Sequence, residues 1–363
     1  MTDEKRKSLA DAFNREIDPL AKYTAKFEEL NVDIFELFIQ DILNPKDLSQ
    51  STIDGYQRVI REWCEFMSDQ NRHPACPNEE HVKQFIRREI DEKGNSCRTA
   101  KSKLWKLNNI YSYWQGGAEF PHPNDYNPFI NGKKKLPLST SRVKDPPRMS
   151  VTKLQEELSH IHHLRDLAFI VTQLKLGLRA SEMANIKIRE LSLSNSEVKA
   201  HYSVIGTSPH LDQFENAVYI PADREGNKSE RPRVLPIDEE LRRLWTNYLL
   251  IRPDNEEPWL FLSRTNHTKV DDEAINLAWK RYFHPKYEET QQHRAVTSHY
   301  GRHRFTTYWR VEQDLNRELI KYMRGDTSAG GVKDSTDGID QYIHSYYEDI
   351  EPIYREQIYK LGV

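Results

Sequence analysis

Apolar side chains recur at three- and four-residue steps in three early segments, the spacing that lines them up on one side of an α-helix. Ile53, Tyr56, Ile60, Trp63 and Met67 form the first stripe, behind Ser49 and Ser51, either of which can cap it. Val82, Phe85, Ile86 and Ile90 form the second, behind Asn78, with acids in the first turn where the helix dipole favours negative charge. Leu104, Leu107, Tyr111 and Trp114 form the third, behind Ser96. Each stripe needs another apolar surface to bury against, so the three predict a small helical bundle.

The pattern breaks between Asn131 and Arg148. The stretch NGKKKLPLSTSRVKDPPR combines Gly, Pro, Ser/Thr and cations without an apolar period, and no acid precedes Asp145, as in an exposed linker. Its cations suit a solvated hinge and a strap against phosphates equally well. Beyond it the pattern is mixed. Leu154 to Leu158 and Leu167 to Leu176 are helical in period. LSLSNSEVKAHYSVIG and NAVYIPADREGNKSERPRVLPI have the alternation and turn residues of short antiparallel strands, with a turn from Arg224 to Glu230. From Glu239 onward the period is helical again. The expected fold is therefore mainly α with a small antiparallel β-sheet. At the end, EPIYREQIYKLGV with the Ile350 before it places Ile350, Ile353, Tyr354, Ile358 and Leu361 on one side of a short helix.

The length of 363 residues favours two compact units. The 53 Lys and Arg nearly balance the 56 Asp and Glu, so only local clusters can point to a polyanionic partner. One such cluster is Arg98, Lys101, Lys103 and Lys106, which share the third helical segment with no acid among them; another is Lys133, Lys134 and Lys135 in the linker. An ordinary solvated face is the commoner fate of such charges. Cys64, Cys76 and Cys97 lack CxxC spacing, which argues for packing thiols and against a zinc ribbon or disulfide scaffold. His160, His162 and His163 have no partner at ligand spacing, so no metal site is expected. No stretch is long and apolar enough to span a bilayer, and MTDEKRKSLADAFNRE is too polar for a signal peptide; a cytoplasmic protein is expected.

Four islands of the second unit carry chemistry: LGLRASE, EGNKSERPRVLPI, SHYGRHRFTTYW and IDQYIHSYYE. Gly177 would let the chain turn at a helix end and present Arg179 inward, with Glu182 close enough to orient it. His299 and Arg302 are one helical turn apart. A tyrosine hydroxyl near two arginines and a histidine suits phosphoryl transfer.

At these residues the sequence resembles the tyrosine recombinases, or phage-integrase-type recombinases, particularly their archaeal branch. An Arg in a TGLR-like island, a Lys on a β-hairpin, a His-x-x-Arg pair and a Tyr followed by x-His stand in the family's order as Arg179, Lys228, His299, Arg302 and Tyr342. STIDGYQRVIREWCEFM and SCRTAKSKLWKLNNIYSYW are similar to its core-binding domain. The resemblance divides the chain into an N-terminal extension (1–33), a helical, SAM-like core-binding domain (34–130), a basic linker (131–148), a catalytic domain (149–350) and a C-terminal tail helix (351–363).

It implies a two-domain clamp on double-stranded DNA that works without cofactor. In this scheme Tyr342 attacks a backbone phosphorus to leave a 3′-phosphotyrosine, Arg179 and Arg302 clamp the non-bridging oxygens, His299 assists, and Lys228 protonates the leaving oxygen. Arg98, Lys101, Lys103, Lys106, Lys133, Lys134 and Lys135 become DNA contacts. The tail helix is expected to exchange between protomers of a tetramer on DNA, against the commoner outcome of folding back on its own domain.

Several features depart from the family pattern. Asp326 stands where His or Trp is usual, and a carboxylate there would repel a phosphate unless protonated or turned away. The connection to Tyr342 is several residues longer than usual, which leaves Tyr346 and Tyr347 as alternative nucleophiles, and Arg224 competes with Lys228 for the hairpin position. Two other activities share much of this pattern: a catalytically degenerate DNA-binding relative acting as a regulator or excision factor, and a type IB topoisomerase-like enzyme.

Overall fold

The computed structural model describes residues 3–30, 32–46, 48–136, 138, 144–229, 231–326 and 347–363. The chain divides into two compact units, Met1–Val143 and Lys144–Val363.

In the first unit the three expected stripes are the helices Gln50–Asp69, Glu79–Arg87 and Cys97–Gly116. Two of the three caps act as their sequence suggests. The Asn78 carboxamide oxygen accepts from the backbone N–H of Glu80 and His81, and Ser96 Oγ accepts from that of Thr99, so donors left over at each helix start are satisfied. Ser49 instead exchanges hydroxyl bonds with Ser51 and Thr52. Trp63 anchors the core, edge-on to Phe85 and against Phe66 and Phe129, with its Nε1 donating to the Pro74 carbonyl. Leu20 and Phe27 from the N-terminal stretch join this core. The three cysteines are free, and Cys76 is buried.

The linker begins later than expected. Residues Pro128–Lys134 form a helix, capped by Asn127 with proline in its first turn, and it buries Gly132 against Val82 of Glu79–Arg87 and Phe129 against Trp63 and Tyr111. Its apolar signal is too short to stand out as a period.

The second unit is built around the helix Leu164–Leu176. Every residue from Ala168 to Leu178 is buried, the mark of a helix surrounded by others. Glu239–Ile251, Asp272–Tyr287 and Ser298–Thr307 pack around it. A three-stranded antiparallel sheet lies beside them: β1 (Leu191–Ser192), β2 (Ala217–Ile220) and β3 (Arg233–Pro236), in the order β1-β2-β3, with Val218 opposite both Leu191 and Leu235. The strands are shorter than their alternation suggests. The segment expected to continue as strand is the helix Ser196–His201, started by Asn195, whose side chain accepts from the Val198 N–H.

The C-terminal segment folds back on its own unit. From the helix Tyr347–Gln357 and the residues after it, Ile350, Tyr354, Ile358 and Leu361 enter the main core. A buried ionic network holds them. Lys175 Nζ lies 2.8 Å from Asp238, 2.7 Å from Glu240 and 2.6 Å from the Tyr359 carbonyl, while Glu240 accepts the N–H groups of Leu361, Gly362 and Val363. Among the described residues no helix is long and apolar enough to cross a membrane.

Candidate active site

Gly177 ends the central helix in the left-handed conformation, φ 63°, and a Cβ there would lie 2.5 Å from Phe305 Cδ1. The chain turns at this point, and Arg179 becomes the N-cap of the helix Ala180–Ala184. Its backbone N–H donates to Glu182 Oε2 at 2.7 Å and its Nη1 to Glu182 Oε1 at 3.4 Å, so one buried carboxylate fixes both main chain and side chain.

Thr297 stands at the N-cap position of the helix Ser298–Thr307, which carries His299 and Arg302 one turn apart. Arg302 is 3 % exposed, and its Nη1 donates to the carbonyls of Gly177 (2.8 Å) and Arg324 (3.1 Å). Burial, then the cations of Arg179 and Arg324, push its pKa down to about 9 against the pull of Glu182 and Asp326. It stays charged at neutral pH. His299 has an exposed edge, but partial burial and then the cations of Arg302, His303, Arg294 and Arg324 hold its pKa below the usual imidazole value.

The two arginines meet at Asp326. Arg179 Nη2 donates to its Oδ1 at 3.0 Å and Arg302 Nη2 to the same oxygen at 2.8 Å, while Arg324 Nε lies 2.9 Å from Oδ2. Asp326 follows Gly325, which ends the helix Arg317–Arg324 at φ 68° beneath Arg233 and Ser229. A carboxylate thus occupies the spot on which both expected phosphate ligands converge.

Glu182 is the hub of this charge cluster. Burial alone would raise its pKa, but Arg233, the Arg179 N–H, Arg302 and Arg179 outweigh that and hold it below the ordinary carboxylate range. Arg233, on β3, was not among the expected site residues. It donates to the Met323 carbonyl at 2.8 Å and pairs with Glu182, tying the strand to the helix end that carries Asp326. Nothing in the local pattern distinguishes a buried strand arginine. Arg324 was also missed, although it stands beside Asp326 in the MRGD stretch.

On the loop between β2 and β3, Lys228 is exposed and has no ion pair or hydrogen bond among the described residues. Arg224 is engaged elsewhere: its guanidinium forks onto Glu190, donates to the Asn185 carbonyl and lies 5.8 Å from the Trp259 ring centroid. Tyr342 and Tyr346 lie outside the described residues. Tyr347 is buried against Phe214, and its hydroxyl accepts from Arg355.

The expected DNA contacts of the first unit differ in their surroundings. Arg98, Lys133, Lys134 and Lys135 are exposed, and Lys101 is partly so. Lys135 pairs with Glu79. Lys106 Nζ lies over the Tyr56 ring at 5.2 Å, with its pKa lowered by burial and then by Arg58. Lys103 is not a solvent-facing cation, because its ammonium sits 2.5 Å from both Glu62 and Glu89. Those acids come from other segments, so the absence of acids around Lys103 in sequence was misleading. Trp105, 58 % exposed, shares the face of Arg98 and Lys101 and was overlooked because it falls off the apolar stripe. In the histidine triplet, His163 caps the central helix and His160 binds the Glu156 carbonyl.

A profile of the phage integrase family matches residues 150–328, and one of the phage integrase N-terminal SAM-like domain matches residues 35–114. The tyrosine recombinase XerA of Pyrococcus horikoshii is 25% identical over 300 residues, covering 82% of this chain and 86% of that protein. The Tn1549 transposon integrase, solved in complex with a circular intermediate DNA, aligns with TM-score 0.59 and 18% identity over 81% of this chain and 92% of that one. A lambda integrase dimer bound to a COC′ core site aligns with TM-score 0.56 and 11% identity over 87% of this chain and 76% of that one. At these identities the structural likenesses establish a common fold.

Proposed function

Because the chain belongs to the phage integrase family of tyrosine recombinases, we propose that it is a site-specific DNA recombinase or integrase whose nucleophile is Tyr342. Tyr342 Oη attacks a backbone phosphorus in line, the bond to the 5′ oxygen breaks, and the products are a 3′-phosphotyrosine and a free 5′ hydroxyl. The phosphodiester's energy is kept in the new ester, so the reverse step rejoins a strand without nucleotide. Arg179 and Arg302 hold the non-bridging oxygens as charge rearranges. Lys228 gives its proton to the leaving 5′ oxygen, and His299 assists proton movement at the tyrosine or steadies a phosphate oxygen. Lys228 is preferred to Arg224, which is taken up by Glu190 and cannot readily release a proton.

One observation carries the reading: Arg179 and Arg302, far apart in sequence, donate to a single anionic oxygen. The proposed substrate is double-stranded DNA; the Tn1549 integrase was solved in complex with a circular intermediate DNA and the lambda integrase dimer bound to a COC′ core site. Arg98, Lys101, Lys106, Lys133, Lys134 and Lys135 form the supporting phosphate contacts, with Trp105 among them and Lys103 left out because Glu62 and Glu89 neutralise it.

The test is incubation with nicked suicide DNA carrying candidate attachment sites. A covalent adduct that disappears in Tyr342→Phe supports the proposal. Normal DNA binding without adduct under any condition favours a catalytically silent relative, the reading that Asp326 on the two arginines also suits. Relaxation of plasmid lacking any site would instead mark a topoisomerase.

Assembly on DNA as a tetramer linked by exchanged tails completes the proposal. The cis-docked tail would leave, and an identical tail from a neighbour would refill the Lys175–Asp238–Glu240 pocket. Gln155 Nε2 donates to the Lys360 carbonyl at 2.9 Å, so cysteines introduced at these two positions can be joined by a flexible bis-maleimide to lock the tail in cis. The crosslinked Gln155→Cys/Lys360→Cys protein should bind DNA but fail to assemble, while the uncrosslinked protein assembles; equal assembly in both states would refute tail exchange.

A further inference from the structure

We infer that Arg324 is a third ligand of the reacting phosphate and that Asp326 stands in that phosphate's place in the DNA-free protein, an inference that rests on reading Arg179 and Arg302 as the phosphate clamp. Three guanidiniums surround one carboxylate. Arg179 and Arg302 donate to Oδ1 at 3.0 and 2.8 Å, and Arg324 Nε lies 2.9 Å from Oδ2. The third contact is close but misaligned, because the buried Arg324 Nε makes no hydrogen bond despite its short distance.

A phosphodiester presents two non-bridging oxygens on a tetrahedral centre. One can take the place of Oδ1 between Arg179 and Arg302 while the other turns into line with the unused Arg324 N–H, which the planar carboxylate does not reach squarely. Arg324 is already held for this. Its Nη1 donates to Thr306 Oγ1 at 3.2 Å, its carbonyl accepts from Arg302, and Gly325 after it is packed beneath Arg233.

Replacing Asp326 by a phosphodiester exchanges one monoanion for another, so three buried or half-buried cations are never left uncompensated. The exchange also confers selectivity. Asp326 is tethered to the site and competes at high effective concentration, so a small free anion displaces it poorly. A phosphate delivered by DNA, held by contacts elsewhere, competes on equal terms. Asp326 thereby reserves the arginines for DNA.

The test is titration of the full-length chain with inorganic phosphate by calorimetry, for wild type, Asp326→Asn and Asp326→Asn/Arg324→Gln. Asp326→Asn should bind phosphate at least about tenfold more tightly than wild type, and adding Arg324→Gln should weaken it about tenfold, as expected for loss of one charge-assisted hydrogen bond. Unchanged binding in Asp326→Asn, or no effect of Arg324→Gln, overturns the inference. Should Asp326→Asn fail to fold, the same titrations on Asp326→Ser and Asp326→Ser/Arg324→Gln decide: phosphate binding gained over wild type in the first and weakened in the second supports the inference, and binding equal to wild type in the first, or equal in the two variants, refutes it. None of these readouts involves Tyr342, so a missing DNA adduct would count against the recombinase reading alone.

Discussion

Glu182 and Arg233 form an ion pair with both side chains sealed from solvent, their Oε1 and Nη2 atoms 3.3 Å apart. The pair joins the LGLR turn, through Arg179, to the strand that follows the Lys228 loop, so it holds two of the four islands in register. Removing one partner leaves the other buried and charged. Glu182→Gln should therefore lower unfolding free energy by about 3–5 kcal/mol, read by urea denaturation. A change below about 1 kcal/mol would show that the pair does not hold the site together.

Acid should undo the same network. The carboxyls of Glu182, Asp238 and Glu240 are all held below their ordinary values: burial opposes this in each, and it is outweighed by Arg233 and its neighbours at Glu182 and chiefly by Lys175 at the other two. A depressed folded-state pKa means these groups contribute their full stability above the unfolded value, about 4. The contribution is lost as pH falls through the lower folded values. Urea midpoints should reflect no loss from these groups between about pH 7 and 5 and should fall below about pH 4. A midpoint that rose on acidification below that point would contradict the assignment.

Two glycines are fixed by geometry. Gly177 and Gly325 have φ 63° and 68°, and a Cβ at Gly325 would meet Arg233 Nη1 at 2.2 Å. Gly325→Ala combines a left-handed alanine, about 1–2 kcal/mol, with displacement of Arg233 from Glu182. It should lower both stability and phosphate binding in the Asp326→Asn background. Phosphate affinity in that double variant equal to that of Asp326→Asn alone would show that Gly325 does not position Arg324.

Lys175 is fully buried beneath the C-terminal segment. Lys175→Met would leave Asp238 and Glu240 without their central cation, costing about 3–5 kcal/mol, and should expose the tail to protease in the free protein. Cleavage no faster than in wild type would mean that Ile350, Tyr354 and Ile358 hold the tail without the ionic network.

How far the sequence could be read depends on the range of each interaction. Asn78 and Ser96 were recognisable as caps because they act within their own first turn, and His299 and Arg302 because one helix carries both. Gly177 was readable for the same reason. The helix Ser196–His201 was mistaken for strand because so short an element shows no period, and its cap, Asn195, also suits a turn. Lys103 was misread because Glu62 and Glu89 reach it from separate segments, and Arg233 was invisible because only the folded chain brings Glu182 to it. Asp326 stood out as a misfit in sequence, but its place between Arg179 and Arg302 required coordinates.

The central claim is tested most directly by trapping the full-length protein on nicked attachment-site DNA, digesting it and mapping the DNA-linked peptide by mass spectrometry. The account requires the nucleotide on Tyr342, with no adduct in Tyr342→Phe and a strongly reduced one in Arg179→Gln or Arg302→Gln. Linkage to any other residue, or an adduct undiminished when either arginine is removed, would contradict it.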